Sequence, residues 1–354
     1  MTESSDYIYN EDLEYLELFT TREHKLGGTS ERFVLYKGKE KLIEIPARHI
    51  KIVVLYGNIN ITWKAINLLE KFKITLLKVN ATGDPSLVIG NNLEYLDRKA
   101  LKGLFALNIV DQNDKLNIAK KLIEAKIQSQ SNLVFRKYRA TLKKNLKELS
   151  ARIREALEKI EKVSTLSELL GIEGMASKHY FKAIQETIPP FYNVNERSTK
   201  RHPTDPFNAA LNYAYGILRK MILRELTAQG IPPITGIIHS EERIKTPLVF
   251  DLMEPLRPFI DLYTVNLFTN KQIKNKHYKE TDNKVTLTKT GRKLILEHLS
   301  KKMREKQNIT LRTSNNKDTR IKTDMTTAVR ILTTTLKQSL KNRKQNITIP
   351  ILPR

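Results

Sequence analysis

Residues 247–262 read PLVFDLMEPLRPFIDL, and two carboxylates, Asp251 and Glu254, stand three positions apart among Phe250, Leu252, Met253, Leu256 and Phe259. In a helix this spacing puts both acids on one face. Asp261, seven positions beyond Glu254, extends that face. Ionised carboxylates among apolar side chains need a cation. Arg257, three positions after Glu254, offers a plain ion pair, and a metal ion offers the alternative. Two further residues bear on the choice. Glu173 in GIEGMASKHYFKAI is placed where a helix should begin, among Ile172, Met175 and Ala176. It is either a first-turn acid complementing the helix dipole or a ligand. His239 closes the apolar run ITGIIH before the charged SEERIK, as a structural histidine or as a ligand. Glu173, His239, Asp251 and Glu254 together would give oxygen-rich ligation with one imidazole, which suits Mg2+ or Mn2+.

The charge balance says what such a metal would act on. Of the 354 residues, 62 are Lys or Arg and 38 Asp or Glu, a formal net charge of +24. A field of that sign draws polyanions and condenses onto phosphate backbones. Metal-dependent phosphodiester chemistry on nucleic acid is therefore the leading class. Other chemistries lack their residues. The chain has no cysteine, which excludes disulfides, thiolate catalysis and Cys-ligated zinc or iron–sulfur sites. It has no GxxxxGK[ST] loop, no GxGxxG after a strand, no GxSxG and no HExxH. Gly27–Gly28 reads as a turn. The acidic N-terminal residues do not form a signal peptide. No apolar run approaches the roughly 18 residues of a membrane span. A cytoplasmic protein with no membrane association is expected.

The elements that must position these residues fall into two regions. Residues 1–91 read as β-rich: 31–37 (ERFVLYK) and 41–45 (KLIEI) alternate around Gly38 as a hairpin, and 50–56 (IKIVVLY) resembles a strand covered on both faces. Asn58–Ile61 repeats the signal weakly, 63–72 (WKAINLLEKF) has helical spacing, 73–79 (KITLLKV) returns to strand, and 80–85 (NATGDP) is a turn. Residues 92–354 read as helical. A continuous helix is predicted over 136–162, with a stripe of Leu142, Leu146, Leu149, Ile153, Leu157 and Ile160. Others are predicted over 115–130, 174–185, 206–229, 247–269, 291–305 and 323–343. Residues 301–354 carry 14 Lys and Arg against three acids, which suggests a basic C-terminal arm that tracks phosphates. The expected fold class is α+β, a small β-rich N-terminal domain (1–91) followed by a large all-α catalytic domain (92–354).

At these same residues the sequence resembles the CRISPR-associated endonuclease 1 family, the integrase subunit of CRISPR adaptation in antiviral defence. EGMASKHYF (173–181), DPFNAALNYAYGIL (205–218), GIIHS (236–240) and FDLMEPLRPFID (250–261) carry the likeness. GIPPITGIIH, VTLTKTGRKLI (285–295) and ARHIKIVVLYGN extend it over nearly the whole chain, in order. The resemblance implies a β-rich dimerisation domain ahead of a helical catalytic domain. It implies a metal held by a Glu, a His and a carboxylate, here Glu173, His239 and Glu254, with Asp251 and Asn208 in supporting roles. It also implies Mg2+ or Mn2+ as cofactor, double-stranded DNA (prespacer and CRISPR repeat) as substrate, and a homodimer, two of which flank a dimer of CRISPR-associated protein 2. The expected activity is that of a DNA endonuclease and integrase that inserts prespacers by attack of a 3′-hydroxyl on a phosphodiester. Tyr213 and Tyr215 are expected to pack in the helical core and not to act as nucleophiles.

Two other readings use the same residues differently. A transposon-type integrase would share the catalytic domain and often carries a further C-terminal DNA-binding module; no second globular unit is expected after the basic helix here. A non-catalytic basic DNA-binding protein would leave the acids of 247–262 in salt bridges with Arg257 and Lys245.

Overall fold

A computed structural model describes residues 2–3, 6–10, 15–79, 85–89, 112–195, 197, 203–233, 235–239, 246–281, 284–313, 315–342 and 347–354. The chain divides into two compact units, Met1–Asp97 and Arg98–Arg354.

The small unit holds two sheets. The strands are β1 (Thr2–Glu3), β2 (Tyr7–Asn10), β3 (Tyr15–Thr20), β4 (His24–Thr29), β5 (Arg32–Lys37), β6 (Glu40–Pro46), β7 (Ile52–Gly57), β8 (Asn60–Ile61), β9 (Thr75–Val79) and β10 (Pro85–Ile89), with helix α1 (Trp63–Lys71) between β8 and β9. One sheet runs β1-β2-β3-β7-β9-β10, parallel at its β3-β7-β9 centre, and the other runs β6-β5-β4-β8. The β5–β6 hairpin turns at Gly38, whose φ of +59° needs no Cβ. β7 is covered on both faces: Val53 and Leu55 join the main core, while Ile52 and Val54 pack with Leu77 on the other side. Residues 80–84 of the predicted turn lie outside the described residues.

Gly27 and Gly28 form part of strand β4, not a turn. The physical reason is close approach: a Cβ on Gly28 would meet the backbone carbonyl carbon and oxygen of Lys64 at 2.9 Å, where α1 crosses the sheet. Gly28→Ala is expected to push α1 off β4 and to cost roughly 1–3 kcal/mol. Urea unfolding should report it as a lower midpoint with an unchanged slope.

The large unit is mostly helical. Its described helices are α2 (Gln112–Thr141), α3 (Lys144–Ile160), α4 (Leu166–Thr187), α5 (Pro206–Ala228), α6 (Pro247–Met253), α7 (Arg257–Thr269), α8 (Lys289–Arg304) and α9 (Met325–Asn342). α2 runs through the middle and packs on α3, α4, α7 and the 3-10 turn Glu254–Leu256. Among the described residues, five short strands are set among the helices. β11 (Tyr278–Thr281) and β12 (Lys284–Leu287) form a hairpin. β13 (Gln307–Arg312), β14 (Asp318–Thr323) and β15 (Ile349–Ile351) form a sheet ordered β14-β13-β15. The described C-terminal residues are thus folded in place instead of extending as an arm. Ile349, Ile351 and Leu352 are buried, and Asn132 of α2 donates to the Leu352 carbonyl at 2.8 Å.

Three local expectations change in the helical unit. The helix predicted over 136–162 is two helices. Leu142 adopts φ +57° and is 72% exposed. The break turns α3 back onto α2, so that Leu146, Leu149, Ile153 and Ile160 enter the core and Ser131 Oγ donates to the Ser150 carbonyl at 2.9 Å. Glu173 does not start a helix. α4 begins two turns earlier, where the Thr165 hydroxyl accepts the Glu168 N–H at 3.2 Å and the Glu168 carboxylate accepts the Ser164 N–H at 2.9 Å. The dipole account of Glu173 therefore falls away. The helix predicted over 247–269 is interrupted at Glu254–Leu256, because Pro255 and Pro258 lack the N–H that a continuing helix requires. No helix among the described residues is long and apolar enough to cross a membrane.

Candidate active site

Two of the predicted acids meet on one cation. Glu173, projecting from the middle of α4, and Glu254, on the 3-10 turn between α6 and α7, are both hydrogen-bonded by the ammonium of Lys126 from α2. Nζ lies 2.5 Å from Glu173 Oε1 and 2.5 Å from Glu254 Oε2. Glu254 Oε1 also accepts from Arg257 Nε at 3.1 Å, and Glu173 Oε1 from Ser177 Oγ at 2.6 Å. The lysine and Glu254 side chains are only 10% and 7% exposed. Burial alone would raise the Glu254 carboxyl, but Arg257 and Lys126 outweigh it and hold the pKa at about 2. Burial alone would likewise lower the Lys126 ammonium. The carboxylates of Glu254 and Glu173 reverse that and keep it charged.

His239 is set by a different acid. Asp251, wholly buried on α6, accepts the backbone N–H groups of Ile237 at 2.5 Å, Ile238 at 3.2 Å and His239 at 3.0 Å, and it lies 2.6 Å from His239 Nδ1. The carboxylate thus shapes the 237–239 turn and fixes one ring nitrogen, leaving Nε2 as the nitrogen able to take a metal. Gly236 permits the turn: a Cβ there would fall 2.3 Å from the His239 carbonyl oxygen. His239 and Glu254 are close enough for the imidazole to lower the Glu254 pKa. Residues 240–245, with Lys245, lie outside the described residues.

Asp251 and Glu254 therefore face different partners, although three residues apart. Asp261 belongs to neither group. It is buried and accepts from Tyr180 Oη at 2.7 Å and Tyr215 Oη at 2.6 Å, which ties α4, α5 and α7 together. Burial pushes its pKa up to about 6 against the hydrogen bonds from Tyr215 and Tyr180. A raised carboxyl pKa gives stability that is complete below the unfolded value and is lost as pH rises through the folded one. The window here runs from 3.8 to about 6 and amounts to about 3 kcal/mol. Asp261→Asn is expected to flatten the pH dependence of unfolding free energy across that window. Asp261→Ala is expected to cost about 2–5 kcal/mol by stranding two buried hydroxyls.

Asn208 sits in the first turn of α5. Its N–H donates to the capping Asp205 at 2.8 Å, and its amide oxygen accepts from Arg197 Nη1 at 2.9 Å. Arg197 also donates to Asn212 at 2.8 Å and lies over the Tyr215 ring. It lines a cavity of about 560 Å³ with Arg219, Arg257, Arg292, Tyr215 and Phe250. Arg257 connects this cavity to Glu254, and Phe250 connects it to the His239 ring, 6.0 Å away between centroids. The cavity joins a cluster of guanidinium groups to aromatic faces, a combination suited to phosphates and bases.

The residues fit a divalent cation in kind and in part in place. Two carboxylates from separate elements already converge on one positive charge, and an oriented imidazole belongs to the same region. Among the described residues no three His, Asp or Glu side chains are gathered as a ready metal cluster. Lys126 and Ser177 escaped sequence reasoning. The signals were a lysine inside the apolar run around Ile123, Ala125 and Ile127, and a serine four positions after Glu173.

Residues 18–301 match the family model described as CRISPR associated protein Cas1. The chain belongs to the Cas1 family. It is 33% identical over 261 residues to a CRISPR-associated exonuclease Cas4/endonuclease Cas1 fusion of Leptospira interrogans, covering 72% of this chain and 48% of that protein. The chain thus spans about half the length of this relative. Among solved structures it is similar to a chain of a partial Cas6-RT-Cas1–Cas2 complex, at 20% identity and TM-score 0.67, covering 91% of this chain and 94% of that one. It is similar also to a casposase bound to integration product, at 21% identity and TM-score 0.66, covering 94% and 92%. Both likenesses are of fold. A β-rich N-terminal unit followed by a mostly helical one is the architecture of Cas1 structures.

Proposed function

We propose that this protein is the metal-dependent DNA endonuclease and integrase of CRISPR adaptation, joining the 3′-hydroxyl of a prespacer to a phosphodiester at the repeat. The observation that carries the reading is the convergence of Glu173 and Glu254 on a single buried cation beside an imidazole oriented by Asp251. Glu173, Glu254 and His239 would hold Mg2+ or Mn2+. When bound, such an ion activates the attacking hydroxyl and neutralises charge developing on the phosphate and the leaving oxygen. The chain's own residues do the rest. Asp251 fixes the imidazole, Arg257 holds the Glu254 carboxylate in its ionised form, and the arginine-lined cavity receives the strand next to the reacting phosphate. The net charge spreads the remaining grip over many phosphates.

The partners follow the same reading: double-stranded DNA, a second copy of the chain dimerising through the β-rich unit, and a Cas2 dimer, in the cytoplasm. The name of the Leptospira relative, CRISPR-associated, favours the CRISPR role. A transposon-type integrase remains the second reading, since the casposase matches the fold about as well as the Cas1–Cas2 complex does. Gene neighbourhood separates them, a repeat array marking one and terminal inverted repeats the other.

Strand joining tests the chemistry. Full-length protein, a labelled duplex with free 3′-hydroxyls and a supercoiled plasmid carrying a repeat are expected to give labelled plasmid with Mn2+ and none after chelation. Joining that persists in excess chelator would rule out the metal. Bound but unreacted DNA at every metal concentration would favour a binding-only protein.

A further inference from the structure

The Glu173–Lys126–Glu254 cluster is electrically complete without a metal. Two carboxylates face two cations, Lys126 and Arg257, and every oxygen–cation contact is within hydrogen-bond distance. Arg257 is bonded to Glu254 through Oε1. Lys126 touches both acids, through Glu173 Oε1 and Glu254 Oε2. Those two carboxylates are among the residues that would hold a divalent ion.

We propose that Lys126 is an internal competitor for the metal, its ammonium holding the cation position between Glu173 and Glu254 until a divalent ion displaces it. The inference rests on the metal-dependent reading above and adds the residue that sets the metal concentration at which the site loads. Two positive centres cannot share one buried position between the same oxygens without strong repulsion. A lysine suits the role because its charge rides on a flexible four-carbon stem, which can swing aside without moving α2. The exchange also changes the sign of the site. The metal-free cluster is neutral, whereas a divalent ion in place of the ammonium leaves it positive, which favours the approach of a phosphodiester. Loading would thus turn on both metal chemistry and local attraction for DNA.

A purely structural lysine and a competing one predict opposite results for metal affinity. Full-length wild type and Lys126→Met are titrated with Mn2+ alone, without DNA, and free Mn2+ is read from its paramagnetic resonance signal. Removing the competing charge is expected to tighten Mn2+ binding by roughly tenfold or more. Lys126→Gln is expected to act in the same direction and serves if Lys126→Met does not fold. Lys126→Arg, which keeps the charge, is expected to bind no more tightly than wild type. One Mn2+ site in wild type with unchanged or weaker binding in both neutral variants would overturn the competitor role and leave the metal reading standing. No Mn2+ uptake by wild type or by any variant would overturn the metal reading itself.

Discussion

Glu254→Gln is expected to lower strand joining by about 10³-fold or more while leaving duplex binding within about twofold. The substitution keeps volume and one acceptor oxygen but removes the charge that two buried cations share. The new amide would face the Arg257 guanidinium at the position where Nε now donates at 3.1 Å, and the Lys126 ammonium at the other end. A neutral amide can neither bridge these groups nor ligate a hard divalent ion well. The same change has a stability signature. The Glu254 carboxyl, held at about 2 against an ordinary 4.5, contributes stability present above pH 4.5 and lost as pH falls through about 2. The variant should lose that acid-side slope. Joining rates, filter-binding isotherms at two salt concentrations and unfolding at pH 3 and pH 6 together check it. Wild-type joining by the variant would remove Glu254 from the site.

Asp251→Ala is expected to have the second largest effect, through a different route. Asp251 accepts three backbone N–H groups and faces His239 Nδ1, all from a turn that belongs to no described helix or strand. Truncation leaves those donors without their acceptor in a buried place, at a cost of about 3–5 kcal/mol. It also frees the imidazole to rotate, and loss of such an outer partner commonly lowers metal affinity or activity by about 10–100-fold. Asp251→Asn separates the two effects. The amide oxygen in place of Oδ2 still accepts from Ile237 and Ile238, but the NH2 group in place of Oδ1 cannot accept from the His239 backbone N–H or from Nδ1–H, so activity should fall further than stability. Hydrogen exchange at Ile237 and Ile238 would report the turn directly. Equal losses in both readouts for Asp251→Asn would mean that the carboxylate matters only to folding.

The legible part of this protein was periodicity and motif. Alternation around Gly38 marked the β5–β6 hairpin, and the apolar run 50–56 marked β7, because both signals are local. The ends of α4 and α6 were less legible, since capping by Thr165 and the Pro255 interruption act one or two residues away from the apolar pattern. Leu142 misled because a continuous stripe does not reveal that the chain reverses within it. In the site, Glu173, His239 and Glu254 were singled out by residue type and grouped by resemblance, and the structure brings Glu173 and Glu254 together on Lys126. Asp251 and Glu254 read as one face but serve separate partners, the first the 237–239 turn and the second Lys126 and Arg257. Lys126 was invisible. Its significance lies in contacts across 47 and 128 residues of sequence, which no local spacing records.

Those two separations carry a consequence for how the protein comes into being. α2, α4 and the 3-10 turn at Glu254 are made at different times during synthesis, and the cluster exists only once all three have closed on one another. Contacts so distant in sequence form late in folding. A nascent chain can therefore be basic, and attractive to polyanions, before the cluster is assembled. Attraction to nucleic acid precedes assembly of the site.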